Sequence, residues 1–275
     1  MGGALFSQPW RPLPANYQEN LNFVKNYQPQ NKDVKHLRIL LHGPVGAGKS
    51  SFINSVDSIF QDRITGQALA DAISGASFTK AYTTYKIKTK AGKFCSLVFN
   101  DIMGFEQNID DGVRVEDIVQ VLKGHVPEGY KFLQSHPVTQ NDPGYNSTPT
   151  LDDRVHVLIS VFPANTISLI SDEVVKKLRE VRLAASEMGI PQLAIITKVD
   201  EVCPKVKGNV KNIYKSKYLK DQVDQVQTLL GIPLNCIFLV KNYHSEMKTD
   251  DDINAPILFA LRQMIHFGED FLNNQ

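Results

Sequence analysis

Cysteine is scarce: Cys95, Cys203 and Cys236 stand far apart in 275 residues. An odd, widely spaced set supplies neither a disulfide framework nor the C-x-x-C spacing of a zinc site, and it fits a reducing, cytoplasmic setting. No apolar run approaches the ~20 residues of a membrane-spanning helix, so no transmembrane segment is expected. A charge bias is missing too, since 30 Lys and Arg against 29 Asp and Glu leave a formal net charge of +1. Dedicated nucleic-acid binders carry a basic excess, which makes a nucleic-acid partner unexpected. The seven histidines lack metal-ligand spacing and read as core or surface residues. The opening residues have neither the charged nor the apolar region of a signal peptide, and Phe6 stands where a myristoylation signal needs Ser or Thr. Internal repeats and low-complexity segments are absent. A chain of this length, 42% hydrophobic, suffices for one α/β domain with insertions.

What is present is organised around Gly43-Pro44-Val45-Gly46-Ala47-Gly48-Lys49-Ser50. It lies between the apolar run 37–41 and a helical pattern, Phe52, Ile53, Val56, Ile59 and Phe60. Strand, glycine-rich loop, helix is the context that the pattern G-x-x-x-x-G-K-[ST] requires. Glycines let successive N–H groups curl around a phosphate at a helix N-terminus. The loop backbone of Gly43, Val45, Gly46, Ala47 and Gly48, continuing through Lys49, Ser50 and Ser51, is therefore predicted to cradle a nucleotide. Lys49 reaches the β- and γ-phosphates in that reading, and the Ser50 hydroxyl holds Mg²⁺. A Gly-rich turn without ligand is the alternative.

Residues 1–34, with four prolines among Asn and Gln, predict an extended arm, with one short helix over 17–27 and with Phe6 and Trp10 latched to the surface. Residues 35–275 are read as a single domain. Alternation over 82–89, a turn at 91–93 and an apolar run over 94–100 predict a β-hairpin. Residues 105–154 are read as an insertion, one short helix around Val115 to Leu122 and otherwise loop, of a length that is usually functional or mobile. Strands are expected over 156–162, 193–196 and 235–240, and helices over 171–188, 219–230 and 256–272. Asp250, Asp251 and Asp252 read as an acidic loop before the last helix. Six lysines between 205 and 220 read as a solvated helix face, with an anionic membrane or RNA as the alternative.

Two further elements end strands on the same predicted sheet edge as the phosphate loop. Asp101-Ile102-Met103-Gly104 is a D-x-x-G, placing Asp101 toward Mg²⁺ and the Gly104 N–H toward a γ-phosphate. Thr197-Lys198-Val199-Asp200 is a T-K-x-D. The two carboxylate oxygens of Asp200 can accept from N1–H and N2–H₂ of guanine, a donor pair adenine lacks. The Lys198 stem lies along the base, and the backbone of Lys241 and Asn242, after the last strand, faces guanine O6. The fold class predicted is α/β: a P-loop NTPase G domain, its mostly parallel central sheet flanked by helices, with an insertion after the D-x-x-G element. Its ligands are GTP or GDP with Mg²⁺.

With those residues placed, the chain resembles a small-GTPase-type G domain, and more narrowly the interferon-induced protein 44 family with its 44-like branch. The carriers are LRILLHGPVGAGKSSFINSV (37–56), LVFNDIMGFE (97–106), VLKGHVPEGYKF (121–132) and ITKVDEV (196–202). The phrase within the insertion is the family-specific one. The resemblance implies an interferon-stimulated, cytoplasmic, antiviral or regulatory GTP-binding protein. Ser77-Phe78-Thr79-Lys80 is similar to the switch I of immune-associated GTPases, which implies Thr79 as a catalytic and Mg²⁺-sensing residue, with Thr83 and Thr84 as rivals. Many GTPases place Gln directly after the D-x-x-G glycine to orient the attacking water, and this chain has Phe105 there. Slow hydrolysis follows, unless Arg63, a homodimer across the nucleotide face, or an unidentified protein partner completes the site. A scaffold that binds GTP or GDP without hydrolysing it and an ATPase are the competing readings.

Overall fold

Unbroken apolar runs mark strands covered on both faces. The computed structural model describes residues 3–14, 16–68, 81–105, 112–133 and 135–275. Helix α1 (Tyr17–Asn26) precedes strand β1 (Leu37–His42) and helix α2 (Lys49–Gln61). The hairpin of β2 (Thr83–Lys88) and β3 (Phe94–Asp101) follows, then α3 (Val115–Leu122), β4 (Val157–Pro163), α4 (Asp172–Glu187) and β5 (Gln192–Thr197). Two short helices, α5 (Val199–Val202) and α6 (Pro204–Gly208), lead to α7 (Lys217–Leu230), β6 (Ile237–Leu239) and α8 (Asp251–Asn273).

The six strands form one sheet in the order β2-β3-β1-β4-β5-β6. Only the β2–β3 pair is antiparallel; the other four pairings are parallel. Strand β1 lies between β3 and β4, and the chain crosses from β3 past β1 to reach β4, which opens a crevice at the C-terminal ends of these strands. This is the expected α/β architecture, a mostly parallel central sheet flanked by helices. Helix α2 lays Phe52, Ile53, Val56 and Phe60 into the core, with Phe52 edge-on to Phe99 of β3 at 6.1 Å. Helix α8 comes so close to the sheet that a Cβ on Gly268 would stand 2.5 Å from Leu37 Cδ1 and 2.9 Å from Val157 Cγ2.

Both sheet edges are covered by segments outside the sheet. Strand β6 is one edge, and the Arg11 guanidinium donates to the carbonyls of Ile237 and Leu234. The same segment is tied to residues before α7 by Phe6 N–H to Lys215 O (2.8 Å) and Trp10 N–H to Tyr214 O (2.9 Å), with the Trp10 ring edge-on to Tyr214. On the other edge, Tyr82 exchanges backbone bonds with Gly129 and Tyr130, and Thr84 N–H donates to Glu128 Oε1 at 2.9 Å. Helix α1 lies on α8, fixed by Arg262 with Glu19 (2.7 Å) and by the Tyr27 hydroxyl on Glu269 (2.6 Å).

Three expectations need correction. The acidic stretch is not loop: Asp250 is the N-cap of α8, accepting from Asp252 and Ile253 N–H, and Asp251 and Asp252 fill its first turn. Carboxylates there satisfy orphan donors and complement the helix dipole. Pro256 therefore lies inside the helix rather than at its start. The lysine stretch forms no single helix face, because α6 and a 3-10 turn turn Val206, Val210, Ile213 and Tyr214 inward. Strand β6 is only three residues long, since residues 234–236 form a 3-10 turn.

Candidate functional site

Strand β1 delivers His42 to the base of the phosphate loop. Its imidazole is fully buried and its Nε2 lies 2.8 Å from Ser160 Oγ. Burial, assisted by the charge of Lys49, pushes the pKa of His42 down to about 3, so the ring is neutral. The chain then turns through Gly43, where a Cβ would meet the Val161 carbonyl oxygen at 2.2 Å, and through Gly46 and Gly48 at φ 72° and 89°. Side chains avoid such conformations, which explains why glycine occupies them. No side chain caps α2 and no acidic residue stands in its first turn. The positive end of the α2 dipole therefore faces the loop with no acidic residue of its own first turn beside it, the setting that favours an anion.

Lys49 is nearly buried and folds over the loop, its Nζ donating to Pro44 O at 3.1 Å and more weakly to Gly43 O. Beside it, Ser50 Oγ donates to Asp101 Oδ2 at 2.6 Å, joining the start of α2 to the end of β3 in a buried contact. A hydroxyl and a carboxylate oxygen in contact are hard ligands of the kind Mg²⁺ takes. The D-x-x-G segment is docked on the loop: Phe105 N–H donates to Gly43 O (3.0 Å), and Val45 N–H donates to Phe105 O (3.1 Å). A Cβ at Gly104 would lie 2.7 Å from Val45 N. The Phe105 ring is buried, edge-on to His42.

The opposite flank braces the loop as well. Thr197 Oγ donates to Ala47 O at 2.6 Å, and Asn242 Nδ2 donates to Gly48 O at 3.1 Å. Lys198 takes a left-handed backbone (φ 57°), and half-buried Asp200 opens the adjoining turn of α5. Lys241 pairs with Glu246 at 2.7 Å. Burial raises the pKa of Glu246, but His244 N–H and Lys241 outweigh it and hold it at about 2.

The structure thus brings Gly43 to Ser51, Asp101, Gly104, Thr197 to Asp200, Lys241 and Asn242 to one edge of the sheet. Thr79 lies outside the described residues. Its rival Thr84 is engaged elsewhere, its hydroxyl accepting from Asn100 Nδ2, while the Thr83 hydroxyl bonds Ala81 O. Arg63 follows the far end of α2, ~20 Å along the helix from the loop, so it cannot serve as an arginine finger in cis. The sequence reading missed Glu246, and it missed that Tyr243 N–H is taken by Ser55 Oγ at 2.9 Å. No spacing rule signals either contact. Among the described residues no group of three or more His, Cys, Asp or Glu is placed to hold a metal, and no helix is long and apolar enough to cross a membrane.

No protein-family model matches the chain. It is 36% identical to the Homo sapiens interferon-induced protein 44-like over 252 residues, 91% of this chain and 56% of that protein. Against Mus musculus interferon-induced protein 44 the identity is 34% over 265 residues, 96% of this chain and 62% of that protein. The chain spans little more than half the length of the curated relatives it matches. Among solved structures it is similar to a probable GTP-binding protein engB, 13% identical, covering 86% of this chain and 99% of that one at a TM-score of 0.43. Another is an Aquifex aeolicus Era variant bound to GDP·AlF₄⁻, 12% identical, covering 76% and 52% at a TM-score of 0.39. Likenesses so loose carry no weight beside the sheet order itself.

Proposed function

We propose that the chain is a member of the interferon-induced protein 44 family, to which its 34–36% identity with the curated relatives points, and that its phosphate-loop domain binds guanine nucleotides and hydrolyses GTP slowly with Mg²⁺. The observation that carries this reading is the phosphate loop gripped on both flanks, by Asp101 to Phe105 on one and by Thr197 and Asn242 on the other. Gly46 and Gly48 take the conformations a phosphate cradle needs, and the contact of Ser50 with Asp101 is a donor set that fits Mg²⁺. When bound, the ion supplies positive charge to the phosphate oxygens. Lys49 adds its own charge on the loop side, the Gly104 N–H is aimed at the γ end, and Asp200 reads the base against Lys198. Thr79 is proposed to complete the Mg²⁺ side. Phe105 provides no hydrogen bond for orienting water, which is why the hydrolysis is proposed to be slow. A cytoplasmic, interferon-stimulated antiviral or regulatory role is proposed on kinship alone.

Phe105 also favours a second reading, a scaffold that holds GTP or GDP without hydrolysing it. Titration with labelled GDP and ADP tests the base assignment. Charge-assisted hydrogen bonds are worth roughly 1.5–3 kcal/mol each. Asp200→Ala is thus expected to weaken GDP about 100-fold or more and to leave ADP within about threefold. Equal losses for both nucleotides would refute the guanine reading. GTP turnover over a range of protein concentrations, with Lys49→Ala as control, separates the two readings. A rate that climbs with concentration means that a second copy completes the site, and a flat rate lost in Lys49→Ala means a self-contained slow enzyme. Bound nucleotide with no turnover above the control leaves the scaffold.

A further inference from the structure

We propose that Phe105 is a positioning residue that keeps the D-x-x-G segment docked on the phosphate loop before any third phosphate arrives. The inference rests on the nucleotide reading of the site and concerns how that site treats di- and triphosphates. Three observations carry it. The main chain of Phe105 is bonded to the loop in both directions, through Gly43 O and Val45 N–H, and it pairs on its other side with Gly112. The ring is 2% exposed and stands edge-on to His42, at a centroid distance of 6.1 Å. His42 is itself fixed by Ser160. Gly104 fits flush against Val45, with no room for a side chain: a Cβ there would lie 2.7, 2.8 and 2.9 Å from Val45 N, Cα and Cγ2.

A polar residue at position 105 faces water, so its segment is held by main chain alone. A γ-phosphate must then order that segment as it binds, and the apparent affinity falls by the fraction of time the segment is docked. A buried aromatic removes that cost in advance. The Gly104 N–H is presented to the γ position at all times, and the same anchoring removes the water-orienting group. On this reading the chain exchanges a catalytic side chain for a fixed donor. The site then holds di- and triphosphates with similar affinity and without rearrangement at residues 101–105.

Amide hydrogen exchange at Val45 and Phe105, in the protein alone and with GDP or a non-hydrolysable GTP analogue, is the test. Protection as slow as that of the β3 core amides in all three states is expected; protection that rises more than about tenfold only with the triphosphate would overturn the proposal. Phe105→Ser is expected to weaken the analogue about tenfold and leave GDP within about threefold, with Phe105→Leu restoring the ratio. A purely structural role would weaken both nucleotides alike in Phe105→Ser, and that result would also count against it. If Phe105→Ser does not fold, the exchange of the unaltered protein decides. If neither nucleotide binds the unaltered protein, the nucleotide reading fails. Docking is then judged separately from the protein alone, where fast exchange of the Phe105 amide overturns it and slow exchange supports it.

Discussion

At the scale of single residues, His156 can hold only one tautomer. Its Nδ1 lies 2.9 Å from the Arg38 N–H and must accept, and its Nε2 lies 2.8 Å from Leu151 O and must donate. A second proton would point at a donor, in a fully buried ring. Burial lowers the pKa of His156 to about 4, although the Leu151 carbonyl pulls the other way. His42 is lowered further, to about 3. Both groups titrate near 6.5 when the chain is unfolded. A depressed folded-state pKa contributes stability that is complete above 6.5 and is lost as pH falls toward the folded value, because the unfolded chain takes up the proton first. For His156 that loss amounts to roughly 3 kcal/mol between pH 6.5 and 4. Thermal unfolding followed across that range should show a steep decline for the unaltered protein and a shallower one for His156→Gln. Parallel declines would mean that His156 is protonated in the folded state.

At the scale of elements, helix α8 depends on one residue of the wrong propensity. Gly268 sits where Leu37 and Val157 leave no space for a methyl group. Helix propensity alone favours Ala over Gly by up to ~1 kcal/mol, whereas forcing a methyl group into a filled core costs about 1–3 kcal/mol. Packing wins, so Gly268→Ala is expected to destabilise the protein by about 1–2 kcal/mol in urea unfolding, and a stabilised variant would show that α8 can move off the sheet. This glycine also marks the limit of what pattern reading reveals. Strands β1, β3, β4 and β5 were legible because burial on both faces leaves largely apolar runs, β2 was legible from its alternation, and α4 and α7 were legible from Ser171, Gly189 and Gly231 at their ends. The start of α8 was not, because Pro256 is a common first helical residue and three aspartates in a row resemble a loop. The phosphate loop, Asp101 and Asp200 were legible because their chemistry depends on residue type at fixed spacing. The burial of Phe105, the pair formed by Lys241 with Glu246 and the bond from Thr197 to Ala47 are tertiary contacts, and nothing local encodes them.

At the scale of the whole molecule, the loop is the point where distant parts of the chain meet. Residues 43–50 receive bonds or close contacts from Asp101 to Phe105, from Thr197 and from Asn242, so the sheet is tied together at its C-terminal edge. A ligand seated there would touch several of these segments at once, and one that binds only the folded chain adds to global stability. With free GDP at 100 times its Kd the gain is about 2.7 kcal/mol, which in a domain of this size corresponds to a rise in Tm of roughly 5–10 °C. Mg²⁺ should contribute through Ser50 and Asp101. Chelation of the ion is expected to remove a substantial part of the GDP-dependent shift from the unaltered protein. In Ser50→Ala the hydroxyl that meets the Asp101 carboxylate is gone, so the shift should be smaller at the outset and nearly indifferent to chelator. A GDP shift of the same size with and without Mg²⁺ in the unaltered protein would assign the bond between Ser50 and Asp101 to joining α2 and β3, and would take both residues out of the metal site.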